Sequence, residues 1–275
     1  MFFTQWIRSL SADKDKTVVV TFTGGMGAQI ISAATYFSLK NEGHAVYADF
    51  SYFDGAERVA SAGRVGEVSH WPWQLQPFGL MRSSFETFTG QSKRGIDLIE
   101  DGSRKIAVGM KALRQPEVQR HFAIAMGVDD ILPAGFSSGY ICIHVRRGDY
   151  VNVASHLVAD DEFIGLAGKF TGLVKHLAVV SDSPIGEPFR QTASSGYEQA
   201  VFMDSIDAFT AHRIMRNARI LICSNSQFSL IAALLNPQAL VVLPKHWFGK
   251  NDRAIEAPIH EACSFQILNS TSTSS

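Results

Sequence analysis

From Tyr140 onward the chain alternates short runs of strand formers with longer stretches of helical period, and this alternation restricts the possible folds most. Apolar runs rich in Ile, Val and Leu lie at 140–145, 176–180, 200–203, 219–223 and 239–243. Between them, one segment opens at Asp160 or Asp161 and carries Phe163, Leu166, Ala167 and Phe170 on one face, and a second spans 184–194. A third, capped by Asp204 or Ser205, carries Ile206, Phe209, Ile214 and Met215, and a fourth, 228–235, stops before Pro237. Strands alternating with helices predict a parallel sheet covered on both faces, so the fold class is α/β.

The first half opens in the same way. Thr17 to Phe22 is a β-branched run, Thr23 to Gln29 turns it into a helix with Ile30, Ala33, Ala34 and Phe37 on one face, and Gly43 suits the position that ends that helix. A second strand follows over 45–50. A glycine loop at a helix N-terminus leaves backbone N–H groups that favour an anion. Gly25-x-Gly27, with Asp49 near the end of the second strand, partly matches the dinucleotide fingerprint, but Ile30 stands where its third glycine belongs. A nicotinamide-dependent oxidoreductase therefore stays among the alternatives. Between Asp54 and Gly135 the periodicity weakens. Trp71-Pro72-Trp73 and Pro77-Phe78-Gly79 read as an ordered aromatic loop, either a sugar platform or core packing; a helix is expected over 116–126 with Pro116 in its first turn; and the small-residue segment 133–139 is the candidate linker. The expected organisation is an N-terminal Rossmann-like domain over 1–135, a second over 136–268 and a disordered Ser/Thr-rich tail over 269–275.

Composition excludes several classes. A hydrophobic share of 46% with 19% charged residues describes a globular chain, and a formal net charge of -1 gives no support for a nucleic-acid partner. The three cysteines, Cys142, Cys223 and Cys263, have no paired spacing and are expected as buried thiols in a reducing compartment. Residues 1–7 are too short for a signal-peptide core, and no run approaches ~18 apolar residues, so no integral membrane segment is expected. The expected location is cytoplasmic, with peripheral association at the inner membrane surface left open. Asp13-Lys14-Asp15 formally matches a metal-holding Asp-x-Asp pattern but precedes the first strand within a charge run, and no His/Cys/carboxylate grouping has metal-site spacing, so neither metal nor cofactor is expected.

Three polar turns fall at the carboxyl ends of predicted strands: Gly24 to Gln29, His144 to Asp149, and Ser224 to Gln227. Two adjacent guanidiniums, Arg146 and Arg147, leave a buried strand there. Either an anionic ligand or acidic side chains such as Asp149 must meet them. Arginines, hydroxyls and helix N-termini facing a cleft between two α/β halves suit a nucleotide diphosphate.

These turns also carry a resemblance to the bacterial α-1,2-fucosyltransferases of glycosyltransferase family 11, within the fucosyltransferase superfamily that shares a His-x-Arg-Arg motif. Gly24-Gly25-Met26-Gly27-Ala28-Gln29 with Asp49-Phe50-Ser51-Tyr52-Phe53 is similar to the family's opening loop and second strand. His144-Val145-Arg146-Arg147-Gly148-Asp149-Tyr150 resembles its signature, and Ser224-Asn225-Ser226-Gln227-Phe228-Ser229, followed by Asn236-Pro237 and Pro244-Lys245-His246-Trp247-Phe248, resembles its last motif.

The resemblance implies a GT-B architecture of two Rossmann-like domains facing a cleft, a GDP-fucose donor, no metal, and inversion to an α-1,2-fucoside on a galactose-type acceptor. Arg146 and Arg147 would engage the GDP phosphates, the backbone around His144 would lie near the guanine, and Asp182, Ser224, Asn225, Ser226 and Gln227 would contribute to the donor pocket. The loop holding Gly25, Gly27 and Gln29 would close over the pyrophosphate and fucose. Asp149 is the candidate base, with Asp49 and Asp54 as rivals. Departures from the pattern are Ala28 in place of the usual asparagine, Leu230-Ile231 in place of a tryptophan pair, and His156-Leu157, which only partly matches the acceptor-side motif. A non-catalytic GDP-sugar-binding relative, or one of different linkage, is the corresponding alternative.

Overall fold

A computed structural model describes residues 17–54, 71–89, 96–99, 103–125, 127–152, 156–204 and 206–243. The chain divides into two units, Met1–Ala123 and Ile124–Ser275.

In the first unit β1 (Thr17–Thr21) is the central strand of a parallel sheet, flanked by β2 (Ala45–Asp49) and β3 (Ile96–Ile99). Helix α1 (Met26–Asn41) follows β1 and is buried along most of its length, and Gly43, at φ 87°, ends it in the left-handed conformation the sequence called for. A one-turn helix α2 (Ser51–Asp54) follows β2, and α3 (Ser103–Ala112) follows β3. The strand β3 and the helix α3 were not expected from the sequence. The expected helix over 116–126 is shorter: α4 (Pro116–Gln119) runs into a 3-10 turn, Arg120–Phe122, and Ala123 is already extended at ψ 138°.

The aromatic loop resolves in part into core. Trp73 sits among Phe22, Phe50, Phe53 and Phe85 at ring-centroid distances of 5.7, 5.5, 5.6 and 6.0 Å, with its indole N–H donated to the Leu80 carbonyl at 2.8 Å. Edge-on and tilted rings at these spacings are the favoured aromatic arrangements, so Trp73 is a packing residue.

The second unit is built on a five-stranded parallel sheet in the order β6-β5-β4-β7-β8. Its elements are β4 (Tyr140–Val145), α5 (Asp160–Gly168), β5 (His176–Ser181), α6 (Glu187–Ser194), β6 (Gln199–Asp204), α7 (Ala208–Asn217), β7 (Ile220–Ile222), α8 (Gln227–Leu234) and β8 (Leu240–Val242). Every residue of β4 is buried, as a strand covered on both faces must be. The chain builds outward from β4 through β5 to β6 and then returns to lay β7 on the other side of β4. That reversal places a topological switch point at the carboxyl ends of β4 and β7, where open α/β sheets bind ligands.

Three expectations shift in detail. The cap of α7 is Asp207, whose carboxylate accepts the Thr210 N–H at 2.9 Å, so Asp204, Ser205 and Ile206 precede the helix. Helix α6 starts at Glu187, with Pro188 in its first turn. Segment 133–139 is packed inside the second unit rather than linking two: Phe136 is 1% exposed and stacks on His176 at 4.9 Å, downstream of the division between Ala123 and Ile124. The adjoining residues are held by Arg213 of α7, which forks onto Asp130 at 2.6 and 3.1 Å and reaches the Gly127 carbonyl at 2.6 Å.

Cys142 and Cys223 are buried thiols, and burial pushes the Cys142 thiol well above its ordinary range. Cys263, the Asp13–Asp15 pattern, the 244–248 motif and the tail lie outside the described residues. Among the described residues, no helix is long and apolar enough to cross a membrane.

Candidate active site

The turn after β4 is organised by carboxylates of the same unit. Asp182, which follows β5, accepts the backbone N–H of Arg147 at 2.8 Å through one oxygen and faces Nη1 of Arg146 at 2.6 Å through the other. Ser183 supports the turn, its hydroxyl accepting the Gly148 N–H at 3.2 Å. The glycine is required by space: a Cβ at position 148 would stand 2.5 Å from the Asp182 carboxylate. The Arg147 guanidinium lies over Phe163 of α5 at 5.8 Å, donates to the Arg146 carbonyl at 3.2 Å and pairs with Asp160 at the start of α5. Among the described side chains, Asp182 thus meets Arg146 and Asp160 meets Arg147. Asp149, the acidic partner the sequence suggests, has its backbone in the 3-10 segment Gly148–Asn152, and its side chain lies outside the described residues. Arg146 lies over the Tyr150 ring at 5.3 Å, and Tyr150 in turn meets the His156 ring at 5.2 Å.

The turn after β7 is joined to the end of β4 through a buried pair. Nδ1 of His144 lies 2.7 Å from the Ser224 hydroxyl, both residues being almost fully enclosed. Ser229 donates within 3.2 Å of the Ser224 and Ser226 carbonyls, and the Ser226 hydroxyl accepts the Phe228 N–H at 3.3 Å as the cap of α8. Ser224, Asn225 and Ser226 are buried and Gln227 is half-buried, so this turn is a packed polar knot at the switch point. His144 enters it as a side chain locked in the core.

Burial, reinforced by the nearby Arg146 charge, lowers the His144 pKa to about 3, and burial also pushes His212 down. An unfolded histidine titrates near 6.5, so between that pH and about 3 the unfolded chain binds a proton that folded His144 refuses. Stability should fall as pH drops through this window, by up to about 1.4 kcal/mol per pH unit for one such group. Urea unfolding at successive pH values is expected to show that slope, and His144→Asn is expected to lessen it, leaving the share that His212 contributes. An unchanged slope in the variant would mean that His144 protonates in the folded protein.

In the first unit the glycine loop is held from below. Gly24 adopts φ 69°, and a Cβ on Gly25 would touch the Trp71 indole at 3.4 Å, so the loop and the tryptophan lie in close apposition. Gln29 is fully buried: its amide donates to the Gly24 and Pro72 carbonyls at 2.8 and 2.9 Å and accepts the Gln74 N–H at 2.8 Å. Its amide hydrogen bonds thus fasten the glycine loop to the aromatic loop. Lys105 of α3, which sequence reading passed over, is 2% exposed and donates to the Thr21 carbonyl at 3.0 Å and the Thr23 hydroxyl at 3.4 Å. Gly27 is buried in the first turn of α1, and Ile30, in the place of a third fingerprint glycine, is wholly enclosed. Of the rival bases, Asp49 accepts the Ser51 N–H at 2.9 Å and Asp54 pairs with Arg82 at 2.7 Å. Among the described residues no group of three His, Cys, Asp or Glu side chains could hold a metal ion.

Comparison with known proteins gives one family match and a set of structural likenesses. Residues 127–258 match the model described as Glycosyl transferase family 11. Among solved structures, POFUT1 in complex with GDP is 12% identical, with a TM-score of 0.44 over 82% of this chain and 96% of that one. The E. coli heptosyltransferase WaaC with ADP is 10% identical, with a TM-score of 0.47 over 87% and 89%. A glycosyl transferase family 9 protein from Veillonella parvula is 11% identical, with a TM-score of 0.40 over 85% and 84%. No curated protein matches.

Proposed function

We propose, from the match of residues 127–258 to the glycosyl transferase family 11 model, that the protein is an inverting fucosyltransferase moving fucose from GDP-fucose to a hydroxyl of a galactose-type acceptor to form an α-1,2-fucoside. The observation that carries this reading is the placement of the Arg146-Arg147 turn and the Ser224–Gln227 turn together at the switch point of the family-matched unit's parallel sheet. A departing diphosphate needs fixed positive charge where its own charge develops, and pre-oriented guanidiniums supply that without reorganisation.

In this reading the second unit is the donor side and the first the acceptor side. Arg146 and Arg147 stabilise the leaving GDP, Asp149 takes the acceptor proton, and no metal or cofactor takes part. The two buried thiols fit a reducing, cytoplasmic setting.

The test is incubation with GDP-fucose and a panel of galactosides, with and without a chelator. Transfer to the 2-hydroxyl of galactose at an undiminished rate in chelator is expected. Absence of transfer alongside tight GDP binding would favour a non-catalytic relative, a reading motivated by Ala28, whose Cβ lies against the Gly24 turn. Thermal stabilisation by NAD and not by GDP would overturn both in favour of an oxidoreductase.

A further inference from the structure

The two arginines of the turn are held by carboxylates of different character. Asp182 is a clamp: its side chain is 23% exposed, one oxygen is fixed by a backbone N–H, the other faces Arg146, and Gly148 is pressed against it. Removing it would undo the turn itself. Asp160 is 57% exposed, stands in the first turn of α5, and among the described residues meets the side chain of Arg147. The Arg147 side chain is 20% exposed, so the pair is open to water from its carboxylate side, where screening weakens it and solvent ions exchange with it. The Arg147 guanidinium does not depend on Asp160 for its orientation, because Phe163 lies beneath it and the Arg146 carbonyl takes a hydrogen bond from Nη1 at 3.2 Å.

We infer that Asp160 is a resident competitor: its carboxylate occupies the place on Arg147 that a phosphoryl oxygen of the donor takes, and so sets the affinity of the site for the nucleotide diphosphate. The inference rests on the reading of the Arg146-Arg147 turn as a diphosphate site. A diphosphate carries more charge than one carboxylate and can bring two oxygens to the guanidinium fork, so it displaces Asp160. Asp160 then remains as a like charge near the bound anion. Asp160 acts through Arg147 and is a positioning residue, one that lowers affinity, whereas a residue that merely supported the fold would raise it.

The experiment is calorimetric titration of the full-length protein with GDP and, separately, with inorganic diphosphate. It compares the wild type, Asp160→Asn, the neighbouring exposed Asp161→Asn, and the double variant Arg147→Met/Asp160→Asn. Asp160→Asn is expected to bind both anions about three- to tenfold more tightly, with Asp161→Asn within about twofold of wild type. The double variant is expected to lose the gain. In the transfer assay, Asp160→Asn lowers the donor KM and leaves kcat at or below wild type.

Equal or weaker binding by Asp160→Asn overturns the inference, as does an equal gain in Asp161→Asn or a gain that survives without Arg147. Wild-type binding of GDP with no gain in Asp160→Asn sinks the competitor and leaves the fucosyltransferase reading standing. Tighter binding of inorganic diphosphate by Asp160→Asn, with GDP ignored by every variant, does the reverse. Indifference of all variants to both anions removes both.

Discussion

Replacing Arg147 with alanine is expected to reduce transfer from GDP-fucose roughly a hundred- to a thousandfold and to weaken GDP binding, while the protein remains folded. The size follows from what the side chain would do in the reaction. Charge develops on the leaving diphosphate as the glycosidic bond lengthens, and a guanidinium fixed in advance by Phe163 and the Arg146 carbonyl meets it without paying for reorientation. The fold should tolerate the loss because the partner it leaves, Asp160, is more than half exposed and returns to water; the stability change is expected to be about 1 kcal/mol or less. Arg147→Lys should fall between the two, since an ammonium keeps the charge and lacks the fork. Initial rates, GDP titration and a melting curve on the same preparations separate the cases. Wild-type rates and wild-type GDP affinity in Arg147→Ala would remove the guanidinium from the chemistry and the diphosphate from this turn.

How much of this was legible before the structure differs sharply between the units. The second unit declares itself because its central strands, β4 and β5, are covered on both faces and so read as unbroken apolar runs, each bounded by a helical period. The turns at its switch point were legible for the same reason: polar residues stand out where a buried strand ends. Their partners were not, because Asp182 and Asp160 lie 35 and 13 residues from Arg147 and carry no local pattern. In the first unit, β3 hides because Ile-Asp-Leu-Ile is interrupted by Asp97, which is there to pair with Arg104 at 2.5 Å. Helix α3 hides because two of its inward positions are Lys105 and Gly109, one charged and one a poor helix former. Lys105 is buried by its hydrogen bonds to the end of β1, and Gly109 by the approach of another helix, which no period could announce.

That approach supports the second large effect. Gly109→Ala is expected to destabilise the protein by about 2 kcal/mol, against the helix propensity scale, on which alanine gains about 1 kcal/mol over glycine. A Cβ at 109 would stand 2.6 Å from Ile31 Cγ2, 2.7 Å from the Ile31 carbonyl oxygen and 3.0 Å from the Thr35 hydroxyl. The carbonyl is the decisive contact. A side-chain methyl can rotate away, but backbone can retreat only if α1 moves, and α1 is packed along its length. The same carbonyl accepts the Thr35 hydroxyl at 2.8 Å, and Ile31 and Thr35 are both enclosed, so the strain has no local outlet. Gly165 in α5 provides the internal control, since nothing lies within 4 Å of a Cβ built there, and Gly165→Ala should be neutral or stabilising by up to about 1 kcal/mol. Melting midpoints are then expected to move in opposite directions, down by about 4–8 °C for Gly109→Ala and unchanged or slightly up for Gly165→Ala. A Gly109→Ala protein that melts with the wild type or above it would show that α1 and α3 are not in backbone contact at this glycine.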